Sequence, residues 1–424
     1  MSAQAPPRGG RALIDGYADA YRGLRPEVWL LALVMFVNRA GTMVVPFLSL
    51  YLTRELGMGA GTVGAVLAAY GAGAVAGSFA GGWALRRADA FRVQAGSLAG
   101  TALGFLVLSA LREPAAVVVW VAVLGALTES FRPANAAALS ACAPPEVRRR
   151  AFALNRLAVN LGMTAGPALG GLLAGVGYAW LFAVDGLTCV VAAVGVVLVF
   201  DPRRRGRTGE EAPGAGDPSG EASGTPAEDG DGGRWWRDAG YLAFLGCLGL
   251  TLLIFMQVSS AYPLYLLDHH GIDEASFGLL LGGSSVILVV FEVWITHRTE
   301  AVDARRILAA GALLVGVGFG LTPLAGGPLA LAPLVVAWTV GEILIMPTSM
   351  AAAASLAAPH GAGHMSAYFA TFSVAFILAP VVGLGLYGAA PAFVWWLSLA
   401  LAPVIAAGFL ANPRLRPSSH GPGG

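Results

Sequence analysis

Charge is scarce in this sequence of 424 residues. Only 12% of the residues are Asp, Glu, Lys or Arg, whereas soluble domains average about 25%. Lysine does not occur, so all 26 basic residues are arginine, and they nearly balance the 25 acidic residues. A net charge of +1 without a basic stripe gives no basis for a nucleic-acid partner. The chain is also too poor in charge to be an ordinary soluble domain.

Cysteines and catalytic motifs are equally scarce. The three cysteines (Cys142, Cys189 and Cys247) lie far apart and show neither disulfide nor metal-ligand spacing. The glycine-rich run GAGAVAG at residues 71–77 follows no predicted strand, so it does not indicate a phosphate-binding loop. We therefore expect no enzymatic activity, no metal and no cofactor other than a coupling proton.

Apolar residues are present in excess. They make up 56% of the chain, the mean hydropathy is +0.70, and they form continuous blocks of roughly 20 residues, enough for a helix to cross a bilayer. The period-two alternation of a membrane β-barrel is missing. The sequence thus predicts an all-α polytopic membrane protein surrounded by lipid. Its twelve spans, numbered 1 to 12 in chain order, are predicted at residues 28–53, 60–84, 93–111, 115–139, 152–175, 178–200, 239–267, 275–297, 306–325, 328–357, 365–388 and 392–411.

A polar segment divides the spans into two groups of six. Residues 201–238 consist largely of Gly, Pro, Ser, Asp, Glu and Arg, with little apolar surface to bury, and predict a disordered linker. The predicted organisation is an N-terminal tail, a six-helix bundle, the linker, a second six-helix bundle and a C-terminal tail, at residues 1–27, 28–200, 201–238, 239–411 and 412–424.

Arginine placement orients the spans. If successive spans alternate in direction, 21 arginines fall on the side of the tails and the linker, and only Arg54 and Arg112 fall on the other side. By the positive-inside rule, both termini and the linker are expected in the cytoplasm and the protein in the cell membrane.

The two groups of spans repeat each other at an offset of 213 or 214 residues. Glu129 of span 4 matches Glu342 of span 10, and Pro167 of span 5 matches Pro380 of span 11. In the turns after spans 2 and 8, Asp89 and Arg92 match Asp303 and Arg306. Two groups of six spans in the same orientation are parallel repeats, related by an axis along the membrane normal.

With these features the sequence resembles the major facilitator superfamily of transporters over nearly its whole length. The turn after span 2, GGWALRRADAFR, is similar to that family's loop motif through Gly81, Gly82, Arg87 and Arg92, although Arg86 stands at the usual acidic position. We interpret the four matching residues as a packing and conformational motif. The resemblance implies two six-helix bundles that rock around a central cavity.

Span 5 carries a second motif, NLGMTAGPALGGLLAG at residues 160–175. It resembles the Gly-Pro motif of proton-coupled drug antiporters, and the residues that carry the resemblance are Gly162, Gly166, Pro167, Gly170 and Gly171. Glycines spaced by four form a ridge that lets a neighbouring helix approach closely, and Pro167 permits a bend. Close helix packing alone is the alternative reading of this motif.

Several charged or polar residues lie inside predicted spans, where each is costly unless it faces a polar cavity or a partner. Glu129 and Arg132 lie one turn apart in TESFRPANAA and share a face of span 4. The resemblance implies that spans 1, 4, 7 and 10 line the cavity. The candidate substrate- and proton-binding residues are Arg39, Glu129, Arg132, Arg156, Gln257 and Glu342.

Alternatives remain open for these residues. Glu129 and Arg132 could form a purely structural ion pair, and Arg156 could neutralise a cavity carboxylate without touching substrate. Asp185 and Glu292, toward the ends of helices outside the cavity, are interpreted as structural. His364 is expected in a solvated turn.

The expected function is secondary active transport of a small molecule. Burial favours the protonated form of a carboxylic acid and a nearby arginine favours the ionised form, so Glu342 is the better candidate for the coupling proton than Glu129. The span-5 motif implies proton-coupled efflux of amphipathic compounds. The transporter is expected to be a monomer.

The alternative function is proton-coupled import of peptides or other solutes. FRPANAA in span 4 and NRAG in span 1 resemble motifs of peptide symporters, but Asn38 replaces the glutamate expected before Arg39. A third hypothesis is a membrane receptor or scaffold without transport activity.

Overall fold

The computed structural model describes residues 24–41, 43–199, 235–299, 302–357 and 362–415. Most of the two predicted tails and of the predicted linker therefore lies outside the described residues. Within these ranges the ordered secondary structure is helical throughout.

All twelve predicted spans are helical, which confirms the all-α polytopic fold. Eleven helical stretches are long and apolar enough to cross a membrane. The helix of span 9 is not among them, because it has only 17 residues. In order, the main helices of spans 1 to 12 are Pro26–Gly41 with Val44–Leu50, Ala60–Ala84, Ala90–Ala110, Pro114–Cys142, Pro145–Val176, Tyr178–Val199, Ala239–Phe255 with Ala261–His270, Glu274–Thr299, Ala304–Gly320, Pro328–Ala357, Ala362–Ala389 and Phe393–Ala411.

Spans 1 and 7, the first of each group of six, are both interrupted. Span 1 contains the helices Pro26–Gly41 and Val44–Leu50, with Met43 in a turn before the second helix, and its last turn is the π-helix Tyr51–Glu55. Span 7 passes through the 3₁₀ turn Met256–Ser259. Spans 1–6 are called the N half of the protein, and spans 7–12 are called the C half.

The two ends of the bundle are named from the chain path. The terminal face carries the start of span 1, the end of span 12 and the turns after spans 2, 4, 8 and 10. The distal face carries the turns after spans 1, 3, 5, 7, 9 and 11. On the distal face, Gly57 and Gly271, which match in the repeat, both end the first span of their half with positive φ values of 64° and 62°. Glycine adopts this left-handed conformation without the steric cost that a Cβ would bring.

Aspartates begin matching helices on the terminal face. Asp89 accepts a hydrogen bond from the backbone N–H of Phe91 at 2.9 Å, and Asp303 accepts one from that of Arg305 at 2.9 Å. Each carboxylate satisfies an N–H that the helix itself leaves unpaired. Asp303 also forms an ion pair with Arg305 at 2.6 Å, and this partner holds the pKa of the Asp303 carboxyl below its usual value.

Glycines bring helices together within each half. A Cβ on Gly73 or Gly77 of span 2 would collide with the carbonyl oxygens of Ala122 and Ala126 in span 4. These two spans therefore pack backbone to backbone, as small residues allow in membrane proteins. Large apolar side chains such as Phe79 lie exposed on the outer surface of the bundle, as expected for a surface that faces lipid.

One sequence-based expectation is wrong. His364 does not lie in a solvated turn but is buried in the first turn of the span 11 helix. Its ring lies 4.6 Å from the ring of Tyr241, whose hydroxyl donates a hydrogen bond to the His364 carbonyl oxygen. The packing of span 7 against span 11 covers this residue, and that contact is not visible in the local sequence.

Candidate functional site: the cavity between the halves

The halves meet closely at the distal face. Arg54 at the end of span 1 forms an ion pair with Asp268 of span 7 at 3.0 Å, and Tyr387 donates to the same carboxylate at 2.7 Å. Nearby, the Tyr178 hydroxyl of span 6 donates to Glu274 of span 8 at 3.0 Å. The contacts of Arg54 and Tyr178 join the two halves at the ends of their spans and close the distal side, and Tyr387 holds Asp268 from within the C half.

Beneath this closure the space between the halves is mostly apolar. Both halves contribute to its wall, including the interrupted segments of spans 1 and 7. The residues that line it are Val45, Leu67, Tyr70, Met256, Ser259, Ser260, Phe376 and Pro380. We call this part of the cavity the apolar vault.

Toward the terminal face the N half presents arginines. The Arg132 Nε lies 3.3 Å from the Glu129 Oε2, so the predicted pair on span 4 is formed. Arg39 of span 1 interacts electrostatically with both residues and with Tyr70. The Arg132 side chain is 65% exposed. A charged group within a span keeps such exposure only where water reaches it, so this part of the site opens into an aqueous cavity.

The C half presents carboxylates to Arg156 of the N half. Arg156 of span 5 reaches across to Glu292 of span 8, with 3.1 Å between Nη2 and Oε1. Glu342 of span 10 is half-buried and interacts electrostatically with Glu292. Arg156 therefore connects the N half to a pair of carboxylates of the C half.

Glu292 is the residue that the sequence reasoning missed, because its helix was expected outside the cavity. The available signal was an acidic residue in the terminal-face part of span 8, combined with an arginine at matching depth on span 5, the span that packs against it.

Gln257, a candidate from the sequence, lies in the interruption of span 7. Its amide nitrogen donates to the carbonyl oxygen of Ala379 in span 11 at 2.9 Å and to that of Leu253 at 3.0 Å. Its amide oxygen accepts from the Ser260 hydroxyl at 2.9 Å. The side chain is buried and joins span 7 to span 11.

Neutral amides brace span 4 behind its charged pair. Gln94 of span 3 donates to Asn135 of span 4 at 3.0 Å, and Asn135 donates to Asn155 of span 5 at 3.2 Å. A chain of hydrogen bonds through three helices holds span 4 in place, which helps to position Glu129 and Arg132.

The glycine ridge of span 5 packs on span 1. A Cβ on Gly162 would lie 2.6 Å from the Cβ of Arg39, and a Cβ on Gly170 would lie 2.7 Å from that of Met43. Gly166, between them, faces the carbonyl oxygen of Ala40. The ridge therefore sets the position of the span 1 segment that carries Arg39.

The other face of the motif lies against the C half. A Cβ on Gly171 would come within 2.5 Å of the Glu274 carbonyl oxygen and 2.8 Å of the Gly278 Cα. The carbonyl oxygen of Pro167 also lies against Gly278. The Gly-Pro motif thus packs on span 1 with one face and on span 8 with the other.

The residues of the loop motif after span 2 have separate environments. A Cβ on Gly81 would lie 2.7 Å from the Ser130 carbonyl oxygen, whereas the space around Gly82 is open. The Arg87 guanidinium lies 3.9 Å from the centre of the Trp83 ring, and Arg92 is exposed at the start of span 3.

The sequence comparison decides the family. The family model described as Major Facilitator Superfamily matches residues 28–380. The chain belongs to the Major Facilitator Superfamily. It is a multi-pass membrane transporter.

Similar proteins agree with this family. The chain is 24% identical over 330 residues to the uncharacterized MFS-type transporter YqjV of Bacillus subtilis (strain 168), covering 77% of each chain. It is 23% identical to a Na(+), Li(+), K(+)/H(+) antiporter of Planococcus maritimus, covering 82% of this transporter and 85% of the relative. Among solved structures, a peptide transporter POT in complex with alafosfalin superimposes with a TM-score of 0.75 at 19% identity, over 97% of both chains.

Proposed function

We propose that this transporter couples proton movement to the passage of small amphipathic molecules that carry charges of both signs. The observation that carries the proposal is the opposition of charge across the cavity. Arginines of the N half face carboxylates of the C half, and Arg156 and Glu292 lie 3.1 Å apart. A molecule with an anionic and a cationic group can replace this contact at both ends.

The apolar vault supports the amphipathic part of the proposal. Its wall is formed by residues such as Leu67, Met256 and Phe376, and it lies next to the charged residues. The vault is nearly filled in the present arrangement, with a cavity of about 20 Å³, so it would take the apolar body of a molecule only when the halves move apart. Ligand sites usually combine apolar walls with a few placed polar groups in this way.

Glu342 is the proposed proton site. Arg156 is engaged with Glu292, and Glu342 interacts electrostatically with Glu292. A substrate ammonium group that enters between Glu292 and Glu342 favours the ionised form of both carboxylates, so its binding drives the proton off Glu342. Substrate binding and proton binding are then linked by charge, as coupled transport requires.

Orientation supports an alternating-access cycle. The described terminal face is rich in arginine, and the positive-inside rule places such a face in the cytoplasm. With the distal side closed by Arg54 and Asp268, the cavity then faces the cytoplasm. In this arrangement the transporter would bind a cytoplasmic molecule and release it outside in exchange for a proton, which is efflux.

Proton-driven uptake of short peptides is the second candidate. A dipeptide has a carboxylate for the arginines and an ammonium group for Glu292 and Glu342. The fold is also shared with a peptide transporter POT. The two candidates differ in direction and in the apolar part of the substrate.

Transport in proteoliposomes with an imposed proton gradient tests both candidates. Cationic, zwitterionic and neutral amphipathic dyes and a set of dipeptides serve as substrates, and empty liposomes are the control. Movement of amphipathic dyes against the direction of proton flow supports efflux. Accumulation of dipeptides with inward proton flow overturns efflux in favour of uptake, and transport that ignores the gradient contradicts proton coupling.

A further inference from the structure

A buried carboxylate lies outside the cavity residues, at the interruption of span 1. Asp185 of span 6 is 1% exposed. Its Oδ2 accepts a hydrogen bond from the backbone N–H of Val44 at 3.3 Å. Val44 is the first residue of the second helical segment of span 1, so its N–H has no acceptor within that segment. The carboxylate of one helix therefore stabilises the break in another.

The surroundings of Asp185 are built for this contact. A Cβ on Gly41 would lie 3.0 Å from the Asp185 Oδ1 and would overlap the hydroxyl of Thr188. Glycine at position 41 lets span 6 come this close. Thr188 donates its hydroxyl proton to the Asp185 carbonyl oxygen at 2.7 Å, which leaves the carboxylate to the backbone of span 1.

The second half builds the same interruption without a charge. The residue that matches Asp185 in the repeat is Ser398 of span 12, whose hydroxyl donates to the Val394 carbonyl oxygen of its own helix. The interruption of span 7 is held by the neutral side chains of Gln257 and Ser260. A broken first span therefore does not require a carboxylate, and the carboxylate of the N half calls for another explanation.

The proton is the ligand that fits this site. A backbone N–H that points at the carboxylate would repel a metal cation. The ionisable side chains that interact with Asp185 include Tyr70 of span 2 and Cys189 of its own helix, both neutral at ordinary pH. Arg39, on the turn before the break, interacts with Glu129, Arg132 and Tyr70.

We propose that Asp185 binds a proton and thereby controls the interruption of span 1. The ionised carboxylate accepts the Val44 N–H and holds the segment Val44–Glu55 in the present arrangement. Protonation removes the charge and weakens this bond. The segment carries Val45 of the apolar vault and Arg54 of the distal ion pair, so its release would loosen the distal closure. The proposal does not depend on Glu342 being the coupling residue.

Spin labels on the distal face test the proposal without a known substrate. The labels are attached at Gly59→Cys in the N half and Gly326→Cys in the C half, after replacement of the three native cysteines by alanine. We expect the distance between the labels to increase from neutral to mildly acidic pH. In Asp185→Asn, which keeps an oxygen acceptor but cannot ionise, we expect this response to be lost.

Two variants serve as controls. Ser398→Ala, at the matching position of the C half, should keep the full pH response. Glu342→Gln should keep it as well, while losing proton-driven transport, which separates this proposal from the proposed function. An unchanged response in Asp185→Asn overturns the proposal, and so does a response that Glu342→Gln alone abolishes.

If Asp185→Asn does not fold, Asp185→Ser is measured in its place. This variant introduces the residue type found at the matching position of the C half. If neither variant folds, infrared difference spectra of the wild type and Glu342→Gln at neutral and acidic pH decide. A protonated-carboxyl band that appears on acidification and persists in Glu342→Gln supports the proposal. Its absence from both proteins contradicts it.

Discussion

The two halves of this transporter use one helical framework and present opposite charge to the cavity between them. Matching positions of the repeat carry out the same structural tasks. Gly57 and Gly271 turn the chain after the first span, and Asp89 and Asp303 begin matching helices. The cavity residues do not match in this way: the N half supplies Arg132 to its glutamate, whereas Glu342 in the C half has another carboxylate as its neighbour.

The difference separates two kinds of constraint. Turns, helix starts and close helix crossings have the same backbone geometry in both halves, and the same residues occupy the matching positions. The charges that face the cavity are set by what passes through it, and there the halves diverge. Substitutions that disturb this opposition should have graded effects, and the largest effect is expected at Glu342.

Glu342→Gln should abolish proton-driven transport. Glutamine keeps the size and the hydrogen-bonding oxygen but cannot exchange a proton. Exchange of labelled for unlabelled substrate without a gradient should persist, because it needs no net proton movement. Glu113→Gln, at the exposed start of span 4, is the matched control. Full gradient-driven transport in Glu342→Gln would show that the carboxylate opposition is not the coupling element.

The pair formed by Arg156 and Glu292 tests whether the charges must lie on particular halves. Arg156→Gln and Glu292→Gln should each reduce transport strongly. Since Arg156 is 73% exposed, the free energy of unfolding should change by less than about 1 kcal/mol. Transport assays together with thermal unfolding separate the two effects.

The exchanged pair Arg156→Glu with Glu292→Arg sharpens this test. It restores the contact with reversed polarity, so a purely structural pair would recover transport. We expect no recovery, because the N half would lose a cation and the C half a carboxylate. Recovery to the wild-type rate would show that the pair serves only to hold the two halves together.

Gly171→Ala compares a tight contact between the halves with an open site. The new methyl group would meet the Glu274 carbonyl oxygen and Gly278, so overpacking should lower stability by about 1–3 kcal/mol. Gly82→Ala, where space is open, should be neutral or stabilising by up to about 1 kcal/mol. Thermal unfolding in detergent measures both, and equal effects would refute the packing role of the motif.

Asp303 and Asp89 give the smallest contrast. The Arg305 guanidinium holds the pKa of Asp303 below its usual value, so this carboxylate adds stability above the unfolded pKa of about 3.9. That contribution fades as the pH falls through the lower folded pKa. On acidification, the free energy of unfolding of Asp303→Asn should therefore fall slightly less than that of the wild type. Asp89→Asn, which also retains a cap, should lose less stability than Asp303→Asn. An equal loss of stability in both variants would contradict the role of Arg305.

The charged pair in span 4 was accessible from local spacing. Residues three apart on a helix share a face, which predicted the contact between Glu129 and Arg132 that the structure forms. The twelve spans and the repeat were equally accessible, because the length of an apolar block and a constant offset are properties of the linear chain. The packing role of Gly162 followed from the spacing of its motif.

Other features depended on helices far apart in the chain. The partner of Arg156 is 136 residues away, and no local pattern selects Glu292 among the acidic residues. Glu292 was interpreted as structural, yet it lies in the cavity beside Arg156. Asp185 was also interpreted as structural, and no local pattern indicated that its carboxylate bonds to the backbone of span 1. Gln257 was predicted to face the cavity, and the structure shows its amide bonded to the backbone of span 11.

The sequence by itself therefore determined which segments enter the membrane and the approximate extent of each helix, although span 5 begins at Pro145 rather than at residue 152. These outcomes depend on hydropathy, glycine, proline and capping side chains within a few turns. Tertiary structure decided which charges meet, because an ion pair depends on how two helices cross and on the rotation of each about its axis. The opposition of charge between the halves, and the carboxylate at the break of span 1, belong to this second category.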